Sequence, residues 1–166
     1  MQISDGMNYS PQGPRKNVVG PGEFVFAAMA LEHGHIYGMC NGLTEAGAEL
    51  KWVYDPDPAK VERFTAKFPG VRVARGEDEV LQDPAVRLVA AAAIPSDRCA
   101  LGLRVMNHGK HYFTDKAPFT TLGQLSQARQ AVQTTRRKYA VYYSERLHVE
   151  SAIYAGYLVK QGAIGR

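Results

Sequence analysis

The residues with chemistry to offer stand at the ends of apolar runs. Asp115 and Lys116 follow the run Lys110 to Thr114, Asp55 closes the run Glu49 to Tyr54, and Glu32, His33, Gly34 and His35 follow the run Phe24 to Leu31. A lysine at such a place can hydrogen-bond a substrate hydroxyl, hold a developing alkoxide, or move a proton if burial lowers its pKa; paired with Asp115 at the surface it would do none of these. An acid at a strand end can accept hydrogen bonds from a ribose, or serve merely as an acid at the start of the next helix. Two histidines in a polar turn can contact phosphate or substrate, though such residues also face solvent without any task. A metal site made of Glu32, His33 and His35 lacks a visible third and fourth ligand, so no metal is expected. Cys40 and Cys99 lie inside apolar helical patterns without ligand spacing, as reduced core thiols do.

The elements that must position these residues follow from the apolar periods. Phe24 to Leu31 is a strand, Ile36, Met39, Cys40 and Leu43 stripe a helix ending at Gly47, and Glu49 to Tyr54 is a second strand. Asp57 caps a helix whose first residue is Pro58 and whose stripe is Val61, Phe64 and Phe68. Val71 to Val73 is a brief strand and Glu77 to Leu81 a short helix. Val86 to Ile94 is nearly all apolar, as befits a strand covered on both faces. Ser96 then caps a helix with the stripe Ala100, Leu103 and Met106, ending at Gly109. Lys110 to Thr114 is a fifth strand, and Thr121 with Gln124 opens a helix along Leu125, Ala128 and Val132. Tyr139 to Tyr143 is a sixth strand, apolar enough to be buried, and Val149 to Gln161 a last helix. Six strands alternating with helices predict an α/β fold, a doubly wound and mostly parallel sheet of the dinucleotide-binding Rossmann type.

In that fold ligands sit beyond the carboxyl ends of the strands, so the four informative places are Glu32 to Gly38, Asp55, Ile94 to Asp97 and Asp115 to Pro118. The first turn should bring helix-start N–H groups to a pyrophosphate. Gly34 holds the middle glycine position of the usual fingerprint, Glu32 and Tyr37 stand at the outer ones, and Gly38 is one place late. Glu32 would repel a pyrophosphate unless protonated, neutralised or turned away. Asp55, 21 positions after Gly34, suits an adenosine ribose and favours NAD over its phosphorylated relative.

Composition narrows the class. The 166 residues, 45% hydrophobic and 22% charged, suit one soluble domain. A net charge of +4 is spread along the helices, with Arg136, Arg137 and Lys138 the one dense run, and nucleic-acid binding is not expected. No apolar run is long enough for a bilayer, and no secretory leader precedes Phe24, so the expectation is a cytoplasmic protein without membrane contact.

The segment Lys110, His111, Tyr112, Phe113, Thr114, Asp115, Lys116 resembles the "GKHV…EKP" segment of the Gfo/Idh/MocA oxidoreductases, the glucose-fructose oxidoreductase and inositol dehydrogenase family. Asp83 to Val86 running on to Ile94 and Pro95 resembles that family's "dp.vDav.iatp" strand, and Gly162 to Arg166 its "G.IG" segment. The resemblance implies a Rossmann domain for NAD or NADP and a following α/β domain that supplies substrate and subunit contacts. It also implies reversible hydride transfer at a hydroxyl carbon of a sugar, polyol or related compound. By matching positions Lys116 is the motif lysine, with Asp115 beside it. Gly34, with His35 and Ile36 after it, is the cofactor turn, and Asp55 the ribose acid. Ile94, Pro95 and Ser96 line the nicotinamide side. Ala117 replaces the motif proline, and Asp97 and Arg98 stand where an asparagine and a histidine are frequent.

The organisation expected is an arm over 1–22, flexible or loosely packed, a dinucleotide-binding domain over 23–145, and a truncated start of the second domain over 146–166. The partner is a small, carbohydrate-like molecule, with a homo-oligomer when the second domain is present. Two other readings compete. A non-catalytic nucleotide- or metabolite-binding module fits Glu32 and Tyr37, and a methyl transferase fits Asp55 but leaves the lysine motif unexplained.

Overall fold

The computed structural model describes residues 17–145 and 149–165. Among the described residues, those from 17 to 142 belong to one compact unit and those from Tyr143 onward to another. In the first, six strands pair side by side in the order β3-β2-β1-β4-β5-β6, every pair parallel. They are β1 (Val25–Met29), β2 (Glu49–Tyr54), β3 (Arg72–Val73), β4 (Val86–Ala91), β5 (His111–Asp115) and β6 (Tyr139–Tyr142). The helices between them are α1 (His35–Glu45), α2 (Pro58–Lys67), α3 (Glu77–Leu81), α4 (Pro95–Asn107) and α5 (Leu122–Thr135). This is the doubly wound Rossmann order, and it reverses between β1 and β4.

β1 is buried along its whole length and apolar at every position, because helices cover both faces of the sheet. Its alternate side chains feed two cores. Phe26 and Ala28 pack with Ile36, Met39 and Cys40 of α1 and Val61 and Phe64 of α2. Val25, Ala27 and Met29 pack with Val80 and Leu81 of α3, Leu101 and Val105 of α4 and Ala131 of α5. Each large side chain so enclosed contributes about 2 kcal/mol. The Cys40 and Cys99 thiols are free and buried, and burial pushes Cys40 up to about 12.

Asp57 caps α2 by accepting the Ala59 N–H at 2.9 Å, and Thr121 caps α5 through the Gln124 N–H at 3.2 Å. Gln124 answers by accepting the Thr120 N–H at 2.7 Å, one residue short of a regular capping box. Gly47 has φ +99°, and a Cβ there would lie 2.2 Å from the Val19 carbonyl oxygen. That close approach fastens the chain before β1, since the Val18 and Val19 N–H groups donate to the Ala46 carbonyl. Residues 1–16 of the expected arm lie outside the described residues.

Four expectations need correction. Ser96 does not cap α4: Ile94 is its N-cap, Pro95 supplies the first turn, and the Ser96 hydroxyl donates to Asp97. The buried face of α4 carries Arg98, Leu101, Gly102 and Val105 rather than Ala100 and Leu103, because an arginine and a glycine conceal the true stripe from a count of apolar residues. Likewise α5 buries Ala128 and Ala131 while Val132 is exposed. β6 is an edge strand and only half-buried. In the second unit α6 (Glu150–Lys160) exposes Tyr154, Tyr157 and Val159. Residues 146–148 and Arg166 lie outside the described residues. Among the described residues no helix is long and apolar enough to cross a membrane.

Candidate functional site

The carboxyl ends of β1, β4 and β5 bring the expected residues to one edge. The His33 N–H donates to the Ala92 carbonyl at 3.1 Å, which ties the first turn to the end of β4. From that turn His35 Nδ1 lies 3.0 Å from Asp115 Oδ1, and His33 Nδ1 lies 3.5 Å from Asp115 Oδ2. The two imidazole centroids are 4.2 Å apart. Asp115 is the last residue of β5 and 2% exposed, and its Oδ1 also accepts the Lys116 N–H at 2.8 Å. Lys116 is half-buried beside this group, and its peptide bond to Ala117 is cis.

Arg98 completes the cluster, a role its sequence position did not suggest. Buried to 3% exposure, it donates from Nε to the Ala93 carbonyl at 2.7 Å, from Nη1 to the Ala117 carbonyl at 3.1 Å, and from Nη2 to Asp115 Oδ2 at 3.3 Å. One guanidinium thus joins the end of β4 to the loop that follows β5. The only signal in the sequence was an arginine on the face that Leu101 and Val105 continue.

The first turn is assigned differently by the backbone than by glycine spacing. Directly after β1, Ala30 has φ +52°, the left-handed conformation in which a glycine would be at ease. Tyr37, at an outer fingerprint position by spacing, instead stacks on Phe64 at 5.7 Å and Phe68 at 6.3 Å between α1 and α2. Gly38 has the close-packing part: a Cβ there would lie 2.9 Å from the Tyr142 hydroxyl on β6. Gly34 is the N-cap of α1, and a Cβ added to it meets nothing within 4 Å. Glu32 is neutralised, its Oε1 lying 2.6 Å from Lys60 Nζ, and that hydrogen bond holds the Lys60 pKa above its ordinary value.

Asp55 directly follows β2, and its side chain is fully enclosed. Its Oδ2 accepts the Leu31 N–H at 2.7 Å and its Oδ1 the Asp57 N–H at 2.9 Å, with Lys60 Nζ 3.8 Å away. Beside it opens a cavity of about 290 Å³ lined by Ala30, Tyr54, Asp55, Ile94, Asp97 and Leu101 among others, with the Arg104 to Glu77 ion pair at 2.8 Å also contributing. Ile94, Pro95 and Ser96 are exposed, and Ile36 is buried in the core under the turn. His33, His35 and Asp115 also form a potential ligand triad, their donor atoms all within 4.8 Å of one another. Counting ligands within the turn missed it, because the third donor comes from 80 residues further along the chain.

Residues 18–145 match the family model described as "Oxidoreductase family, NAD-binding Rossmann fold", GFO_IDH_MocA. The chain belongs to the Gfo/Idh/MocA oxidoreductase family. A crystal structure of an Erwinia carotovora atroseptica protein, described as a "putative oxidoreductase", is 46% identical with a TM-score of 0.80, covering 87% of this chain and 43% of that one. The WlbA dehydrogenase of Bordetella pertussis, solved with NADH and UDP-GlcNAcA, shares the fold at 15% identity and TM-score 0.76, covering 87% and 43%. A Sinorhizobium meliloti protein described as a "putative myo-inositol dehydrogenase" does so at 20% identity and TM-score 0.72, covering 86% and 42%. This chain therefore spans less than half the length of these relatives. A search of curated proteins gives no match. The Gfo/Idh/MocA membership makes the sheet edge from Ala30 to Lys116 part of the family's NAD-binding Rossmann fold.

Proposed function

We propose that this domain holds the nicotinamide dinucleotide of a dehydrogenase that acts at a hydroxyl carbon of a sugar, polyol or related compound. The observation that carries the reading is the meeting of Asp115, with Lys116 next to it, and the first turn at the carboxyl edge where the strand order reverses. The open space above Gly34 and the neutralised Glu32 suit a pyrophosphate at the start of α1. Asp55 would take the adenosine ribose and thereby favour NAD. The cavity beside it would take the adenine half, and Ile94, Pro95 and Ser96 would line the nicotinamide side. His35 and Ile36 would present the helix start to the phosphates, and Asp115 would steady the lysine loop. When bound, the nicotinamide supplies a hydride acceptor or donor. Lys116 binds the substrate hydroxyl and holds its oxygen as the proton leaves or returns. A following domain would complete the substrate site and the subunit contacts.

Reduction of NAD, followed by absorbance against a panel of polyols and sugars in a protein joining this domain to its second domain, tests the reading. Lys116→Ala should lower turnover at least about 100-fold with the melting temperature kept. Equal turnover would remove Lys116 from the reaction. Glu32 and Tyr37 at the outer fingerprint positions favour a second reading, a nucleotide- or metabolite-binding module without catalysis. NAD binding with no oxidation of any compound in the panel would support that alternative.

A further inference from the structure

We propose that His33, His35 and Asp115 form a binding site for one borderline transition-metal dication of the zinc class. The two Nδ1 atoms stand 3.5 and 3.0 Å from the two oxygens of one carboxylate, and all the donor atoms lie within 4.8 Å of one another. Bonds of about 2.0–2.2 Å to one ion bring neighbouring donors to roughly this separation, so small side-chain rotations suffice to converge them. Two imidazoles and a carboxylate select zinc, cobalt or nickel over magnesium or calcium, which prefer oxygen alone.

The surroundings have the form of a ligand set held from behind. The Lys116 N–H and Arg98 Nη2 fix the Asp115 carboxylate, and the Ala92 carbonyl fixes His33 through its backbone. His33 Nδ1 accepts the His35 N–H at 3.2 Å, and an ion would take over the lone pair that this hydrogen bond uses. Ligation through His35 Nδ1 would replace its 3.0 Å contact with Asp115 Oδ1 by a shared ion. Arg98 offsets the aspartate charge, which keeps affinity moderate. Exposure rises from 2% at the Asp115 side chain through 32% at His35 to 55% at His33, so an ion would have protein behind it and free positions toward the crevice. An oxygen of the dinucleotide pyrophosphate would fill one of them, replacing anchorage that turn glycines ordinarily provide. This last step rests on the dinucleotide reading; the metal site does not.

Isothermal titration of Zn²⁺ and Co²⁺ into the 166-residue chain and into His33→Gln and His35→Gln tests the site, with the visible spectrum of bound Co²⁺ as a second readout. His33 is exposed enough that its replacement leaves the fold unchanged. The expected result is one ion per chain, affinity at least about tenfold weaker in either variant, and tighter NAD binding with Zn²⁺ present than with a chelator. No saturable binding, or binding unchanged in both variants, overturns the proposal. If NAD binds equally with and without Zn²⁺, the pyrophosphate link is overturned and the cofactor reading stands. If Zn²⁺ binds with the expected losses but NAD does not bind, the metal site stands and the cofactor reading falls.

Discussion

Asp55 carries two loads at once. Its oxygens satisfy the Leu31 and Asp57 N–H groups, and the residue lines the cavity in which the ribose would sit. Asp55→Ala should therefore cost about 2 kcal/mol in urea unfolding and weaken NAD more than NADP in titrations. An unchanged preference between the two would remove it as the ribose ligand. Arg98 is the other residue whose effects should spread, because its three donors serve β4, the loop after β5 and Asp115. Arg98→Met leaves a buried carboxylate without its cation and should cost about 3 kcal/mol by the same measurement. Unaltered stability would show that the guanidinium does not hold the loop. The positions of Asp55 and Lys116 were legible because they directly follow apolar runs that form parallel strands. Arg98 was not, since an arginine in a helix is ordinarily taken for a solvent-facing residue. Nor was Ala30, because nothing in an alanine announces a left-handed backbone.

At the scale of elements, the distance of α4 from the sheet is set by a small residue. Gly102 lies on the buried face of α4, where a Cβ would come within 2.7 Å of ring atoms of both Tyr112 and Tyr139. Those rings meet edge-on at 5.1 Å, and Tyr112 is fully buried, so it has no room to retreat. Gly102→Ala should destabilise by about 2 kcal/mol through overpacking, read as a lowered melting temperature. A stability within error of the parent would mean that α4 can lift away freely. Strand number and type were readable from apolar runs bounded by turn residues. The buried face of α4 was not, because its defining residues are an arginine and a glycine. The half-exposure of β6 was hidden too, since aromatic strands look alike at an edge and at the centre of a sheet.

Across the first unit as a whole, the two ends of the sheet have different tasks. At the amino end Asp83 braces three strands. It accepts from Trp52 Nε1 at 2.6 Å and Lys51 Nζ at 2.7 Å on β2 and from the Ala85 N–H at 2.9 Å before β4, while Lys110 Nζ, next to β5, donates to its carbonyl at 2.6 Å. Burial alone would raise the Asp83 pKa, but Lys51, Trp52 and the Ala85 N–H outweigh it and hold the group at about 2, against 3.8 ordinarily. A depressed carboxylate stabilises the fold above the unfolded pKa and loses that contribution as pH falls through the folded one. Stability should thus drop by about 2 kcal/mol on this account between about pH 4 and pH 2. Asp83→Asn should be weaker by a similar amount at pH 7 and show a shallower acid slope in urea titrations. An acid slope equal to that of the parent would contradict the brace.

With the amino end fixed in this way, the carboxyl edge is left to receive a ligand, and the account depends on that ligand being a nicotinamide dinucleotide. Calorimetric titration of NAD into the 166-residue chain measures it directly. The account predicts saturable binding of one NAD per chain, tighter than NADP. No detectable binding at about millimolar NAD, about 4 kcal/mol of affinity, would contradict it.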